Sequence, residues 1–140
     1  MNNIPSDIYD RVIEHGWAIV NAMEAGDGAL QDSHRLSLRA YYDKQTSLGR
    51  SLPFLTEAMA DYTEDAAEAV RLYKLALEQS RSLPDEPLHT KMIALAERLV
   101  ELGRTEQAVA YARDGRAEAV RRGDTFWIED ADRLLQQLAL

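Results

Sequence analysis

Two segments of the 140-residue chain repeat one pattern of small and apolar residues, 39 positions apart. Segment 64–76 reads EDAAEAVRLYKLA and segment 103–115 reads GRTEQAVAYARDG, so that Ala69 aligns with Ala108 and Ala76 with Gly115. A helical segment that recurs at a period of ~20 to 50 residues is typical of a stacked helical array. The repeat therefore predicts an all-α fold built as an antiparallel helix-turn-helix array, an α-α superhelix.

Helical periodicity also dominates outside the repeat, and no segment alternates apolar and polar residues convincingly enough to predict a strand. Ser6, Ser51 and Asp124 are suitable N-caps, and glycines or prolines follow most of the periodic segments. Short turns between helices favour antiparallel neighbours. The pattern predicts about seven helices, over residues 6–25, 29–48, 51–62, 63/64–83, 88–102, 105–122 and 125–138.

The run from Leu99 to Gly115, with Leu102-Gly103 at the turn and Ala108, Tyr111 and Gly115 after it, resembles the turn and second helix of a tetratricopeptide repeat. The resemblance implies a single domain, 1–140, with units at about 5–49, 50–87 and 88–122 and a capping helix at 125–138. It also implies that the first, third and fifth helices line a concave groove. The small residues at the repeated positions would let helix axes approach to about 8 Å.

Charge and composition narrow the classes of function. The chain has 24 acidic and 16 basic side chains, a formal net charge of −8, which opposes binding to nucleic acid or to an anionic membrane. It lacks cysteine, so it forms no disulfide and has no thiolate ligand for zinc. No apolar run reaches the ~20 residues that span a bilayer, and residues 1–5 do not resemble a signal peptide. We therefore expect a cytoplasmic protein.

Motifs for catalysis are missing. His15, His34 and His89 lie on three different predicted helices, and none forms the helical pair with Glu that a zinc site uses. The Gly26-Asp27-Gly28 turn lacks the Lys and Ser or Thr that follow a phosphate-binding loop. We expect no enzymatic activity, no catalytic residue, no metal site and no cofactor.

Two pairs of carboxylates are spaced by one helical turn, Glu57 with Asp61 and Glu97 with Glu101. Like charges at this spacing cost a few tenths of a kcal/mol, so such pairs indicate either a solvated face or a cationic partner. The groove implied by the resemblance would bring them together with Glu14. An acidic groove of this kind would attract a basic protein or peptide.

Aromatic residues are the other candidates for binding. Trp17 follows Gly16 on the first helix and fits either a core position above that glycine, which is the commoner case, or an exposed hot spot. Tyr62 ends the third helix beside the acidic residues, where its hydroxyl would reach a ligand. The capping helix is expected to bury Phe126 or Trp127 against the sixth helix.

These observations predict a non-enzymatic protein-binding module with an acidic concave face. The partner would be a basic protein or peptide, and the module would mask it as an immunity protein or antitoxin masks its toxin. One alternative is an adaptor or chaperone-like tetratricopeptide module that holds an extended peptide. Another is an enzyme that uses Glu57, Asp61 and Glu97. The predicted partner-binding residues are Glu14, Trp17, Glu57, Asp61, Tyr62, Glu97 and Glu101.

Overall fold

A computed structural model describes residues 4–139. Within that range the chain is all-helical, with seven α-helices and no strand. The helices are α1 (Ser6–Glu24), α2 (Gly28–Ser47), α3 (Pro53–Asp61), α4 (Ala66–Ser80), α5 (His89–Glu101), α6 (Thr105–Arg122) and α7 (Thr125–Leu138). The predicted fold class is therefore confirmed, and α6 and α7 have the predicted bounds.

Each helix packs on its neighbours in the chain. Helix α1 contacts α2, α3 contacts α4, α5 contacts α6, and α6 contacts α7. The side chain of Gln79, near the end of α4, donates a 2.6 Å hydrogen bond to Ser51, just before α3, so these two helices run antiparallel. One cluster of buried side chains extends from Ile8 in α1 to Leu134 in α7.

The small residues of the sequence repeat lie at helix contacts. Ala69, Ala76 and Ala108 are fully buried. Gly115 in α6 faces the start of α5, where a methyl group in place of its hydrogen would come within 2.7 Å of Ile93 Cγ1 and 3.1 Å of Met92 Cβ. Glycine is therefore the residue that lets α5 and α6 approach at this point. Gly103 has a left-handed conformation, with φ of 73°, after the end of α5.

Two predicted helix bounds were wrong for identifiable reasons. Helix α4 begins at Ala66 because Asp65 is its N-cap and accepts a hydrogen bond from the Glu68 N–H at 2.9 Å. It ends at Ser80 rather than at 83, because Pro84 disfavours helical backbone at the residue before it.

The proposed N-caps were also incorrect in detail. Helix α1 begins at Ser6 itself, after Pro5, and α3 begins at Pro53, after Leu52. Ser51 accepts its hydrogen bond from Gln79 instead of capping α3. Asp124 precedes α7 as predicted, but its carboxylate binds His89 Nε2 at 2.8 Å and not the helix N-terminus.

Several large apolar side chains of the helices point to solvent. Met23 in α1, Leu30 and Leu36 in α2, and Phe126 in α7 are all exposed. Trp127 is half-buried, and its ring packs edge-on against the buried His89 ring. The expected burial of one aromatic of the last helix is therefore met only in part, because Trp127 is half-buried, Phe126 is exposed, and the ring contact of Trp127 is with α5.

Candidate partner-binding groove

A mostly apolar cavity of about 440 Å³ lies between α1 and α3. We call it the α1–α3 groove. Ile13, Trp17 and Val20 reach it from one face of α1, since residues at i−4 and i+3 of Trp17 share its side of the helix. Phe54 and Tyr62 reach it from opposite ends of α3. The full lining is Val12, Ile13, Gly16, Trp17, Val20, Phe54, Glu57, Ala58, Asp61 and Tyr62.

Trp17 is 64% exposed at this groove, so the core interpretation of this residue was wrong. The space over Gly16 belongs to Tyr62, whose hydroxyl lies 2.7 Å from the position that a Gly16 Cβ would take. Because Tyr62 fills that gap, the indole of Trp17 is left outside the core. Binding hot spots are often exposed tryptophans of this kind, which lie in concave apolar sites.

A second cavity of about 490 Å³ adjoins the groove, and Asp61 lines both. We call this second cavity the acidic recess. Its lining is Asp61, Tyr73, Ala94, Glu97, Arg98, Glu101 and Trp127. Of the predicted carboxylates, Asp61 of α3 therefore shares one cavity with Glu97 and Glu101 of α5, whereas Glu57 lines the α1–α3 groove. Glu14 does not belong to it, because this residue is exposed on α1 outside the lining of either cavity.

Glu57 is a structural residue as well as part of the groove lining, which the sequence did not indicate. Its carboxylate accepts a 2.8 Å hydrogen bond from the Thr90 hydroxyl and lies 3.2 Å from the Nζ of Lys91. Lys91 is fully buried and also donates to Glu86 Oε1 at 2.9 Å and to the Pro87 carbonyl at 2.7 Å. A buried ammonium needs such partners to offset its loss of hydration. The expectation that Glu57 is a free surface charge was therefore wrong.

Asp61 has a different environment. Its Oδ1 accepts a 2.5 Å hydrogen bond from the Tyr73 hydroxyl, which reaches it from α4. Burial of the carboxyl raises the pKa of Asp61 to about 7, although the hydrogen bond from Tyr73 acts in the opposite direction. The same burial, with the nearby Asp61 charge, raises the pKa of Tyr73, so the tyrosine remains a proton donor.

Glu97 and Glu101 are both exposed on one helix face, but their charged neighbours differ. Loss of hydration, together with the neighbouring carboxyl of Asp130 in α7, raises the pKa of Glu97 to about 7. Glu101 is exposed and pairs with Arg98 at 3.2 Å. Arg98 also donates to the Thr63 carbonyl at 2.6 Å, which ties α5 to the segment after α3. The recess therefore contains two carboxyls, those of Asp61 and Glu97, whose pKa is raised.

Sequence reasoning missed several residues of this surface. Ile13, Phe54, Tyr73 and Asp130 were not among the predicted partner-binding residues. The spacing of Ile13, Trp17 and Val20 was the available signal, because it places an apolar face around the tryptophan. No comparable signal pairs Asp61 with Tyr73, or Glu97 with Asp130, since these contacts join different helices.

Comparison of the chain with protein-family models, with curated proteins and with solved structures finds no match. None of the seven helices within residues 4–139 has the length and apolar composition needed to cross a bilayer. In the same residues, no group of three or more histidine, aspartate or glutamate side chains is arranged to hold a metal ion.

Proposed function

We propose that this chain is a non-enzymatic binding protein that holds a basic protein partner in the α1–α3 groove and the adjoining acidic recess. The single observation that carries the proposal is the exposure of Trp17 at a concave apolar site whose lining includes Glu57 and Asp61. Aromatic anchors dominate the free energy of many protein interfaces, and carboxylates select cationic partners.

Masking of a basic protein, as by an immunity protein or antitoxin, is the form of this function that the charge supports. The net charge of −8 speeds the encounter with a positively charged partner. We also propose a tetratricopeptide-like arrangement, in which α1, α3 and α5 contribute one face. In its support, α1 and α3 line the groove, and α3 and α5 both contribute to the recess.

The test is affinity purification with three baits: the wild type, Trp17→Ala and Phe126→Ala. Phe126 is a matched control because it is 67% exposed but lies outside both cavities. A basic protein that both wild type and Phe126→Ala retain, and that Trp17→Ala loses, is the expected result. Equal retention by all three baits would place the binding surface elsewhere.

An adaptor for extended peptides is the second form that the groove supports. A masking protein should bind one folded partner tightly, whereas an adaptor should bind isolated segments of the partner weakly. Titration of the captured partner, and then of its unfolded fragments, distinguishes the two. Binding that survives in a short fragment favours the adaptor.

Carboxyl chemistry is the alternative from another class, and the raised pKa values of Asp61 and Glu97 favour it, since such values are common at catalytic sites. A reaction that depends on a divalent metal would require these carboxyls to bind one. Titration with Mg²⁺ or Zn²⁺ that produces neither heat nor a thermal shift would argue against that reaction.

A further inference from the structure

The carboxyls of the groove and the recess differ in whether the protein neutralises them. Glu57 is paired with Lys91, and Glu101 with Arg98. Neither Asp61 nor Glu97 forms an ion pair with a lysine or arginine of residues 4–139. The hydrogen bond of Asp61 comes from the neutral hydroxyl of Tyr73, while the charges of Lys91 and Arg98 act on it without a direct ion pair. Glu97 faces another carboxyl, that of Asp130.

Asp61 is placed where an incoming side chain would reach it. It lines both the α1–α3 groove and the acidic recess, so it lies at their junction. The approach to it along the groove is apolar, with Trp17 64% exposed and Ile13 39% exposed. A group that enters by this route must have an apolar stem and a charged tip.

Arginine and lysine have this construction. Their methylene stems cover apolar surface while the cation stays beyond it. A cation that lies over the ring face of Trp17 or Tyr62 is further stabilised by a cation–π interaction. The planar guanidinium of an arginine can also donate two parallel hydrogen bonds to a carboxylate. The groove volume of about 440 Å³ leaves room for an apolar side chain beside the cation.

We infer that the groove recognises a protein segment that presents a cationic side chain next to an apolar one, with the cation at Asp61 and the apolar side chain between Trp17 and Phe54. This inference rests on the proposed function and specifies the partner for the same site. It assigns Asp61 as the residue that selects charge, and Trp17 as the residue that holds the apolar neighbour.

The experiment uses the full chain and two short peptides that differ only in charge. The probes are acetyl-Leu-Arg-Leu-amide and the same peptide with citrulline, which is neutral and nearly identical in shape, in place of arginine. Binding is followed through the indole N–H signal of Trp17 in NMR spectra, assigned with Trp17→Phe. We expect the arginine peptide to shift this signal and to bind about tenfold more tightly than the citrulline peptide.

Two variants test which carboxylate is responsible for the preference for the arginine peptide. Asp61→Asn retains an acceptor for the Tyr73 hydroxyl and should fold, but should bind both peptides with equal, weak affinity. Glu14→Gln removes an exposed carboxylate outside the cavities and should keep the preference for arginine. A preference for arginine that persists in Asp61→Asn would overturn the assignment of Asp61.

Equal binding of the two peptides by the wild type, or binding of neither, would overturn the inference. The proposed function would then be judged separately by the retention of a partner on the Trp17→Ala and Phe126→Ala baits. The failures of the two proposals are therefore distinguishable.

Discussion

The hydroxyl of Tyr73 in α4 donates a 2.5 Å hydrogen bond to Asp61 at the end of α3, where the groove and the recess meet. The pKa of this carboxyl is raised to about 7, so the acidic surface is less charged at neutral pH than the sequence indicates. Its protonation should affect both stability and binding.

We expect the free protein to lose stability as the pH rises from 5 to 8. The folded state holds protons on Asp61 and Glu97 up to about pH 7, whereas the unfolded chain releases them near its ordinary values of 3.8 and 4.5. The folded state therefore binds more protons in this interval, and the free energy of unfolding falls as the pH rises. Urea denaturation at each pH measures this trend.

Asp61→Asn is the control for that trend, and its stability should vary less between pH 5 and pH 8. The comparison is needed because burial lowers the pKa of His15, which acts in the opposite direction over part of the same range. A pH dependence identical in wild type and Asp61→Asn would show that Asp61 titrates normally.

Binding of the arginine peptide should strengthen between pH 6 and pH 8. A cation favours the ionised form of Asp61, so it must displace the proton when the pH is below about 7. Titration calorimetry in buffers of different ionisation enthalpy should detect proton release at pH 6.5 and little at pH 8.5. Affinity that weakens as the pH rises would contradict this.

Two glycine substitutions should have different effects although both add one methyl group to a helix. Gly115→Ala forces the methyl against Ile93, which is fully buried, and should destabilise the protein by about 1–2 kcal/mol despite the better helix propensity of alanine. Gly16→Ala meets the tip of the Tyr62 side chain, which can move, and should change stability by less than about 0.5 kcal/mol. Thermal denaturation of the two variants tests the comparison, and equal losses would contradict it.

Charge-reversal substitutions should lower the stability of the protein at a structural carboxylate and leave it nearly unchanged at a surface one. Glu57→Lys places a second cation beside the buried Lys91 and should destabilise by about 3 kcal/mol or more. Glu101→Lys changes an exposed residue and should stay within about 0.5 kcal/mol of the wild type. Chemical denaturation measures both values. Similar stability of the two variants would mean that Lys91 does not depend on Glu57.

Deletion of residues 125–140 should expose the apolar face of α6, because α7 packs against α6 and α5 and buries Ala131 and Leu134. We expect the truncated chain to aggregate or to bind a hydrophobic dye. Phe126→Ser is the matched control, since that side chain is already exposed and its loss should leave the protein soluble. A truncated chain that melts cooperatively would show that α7 is an accessory.

The helices were predictable from the sequence because their signals are local. The bounds of α6 and α7 follow from Gly103, Gly123 and the periodicity of apolar residues, all within a few positions of the helix ends. The site was predictable only in part. Spacing along a helix placed Glu57 with Asp61, but partners from distant segments determine what each carboxylate does: Lys91 neutralises one and Tyr73 binds the other.

The exposure of Trp17 was not predictable for the same reason. It depends on whether Tyr62, 45 positions away, occupies the space over Gly16, and no local pattern records that choice. A residue of a type that is usually buried lies at the surface when another side chain fills its place in the core.

Lys91 joins three parts of the chain, since its ammonium binds Glu57 of α3, Glu86 and the Pro87 carbonyl. The connection between α4 and α5 is thereby linked through Lys91 to Glu57, which lines the groove. A substitution at Glu86 would act on the groove from outside it, by releasing the cation that holds Glu57 in place. Variation in this connection, which does not itself line the groove, is therefore a route by which the shape of the groove can change while its lining residues stay the same.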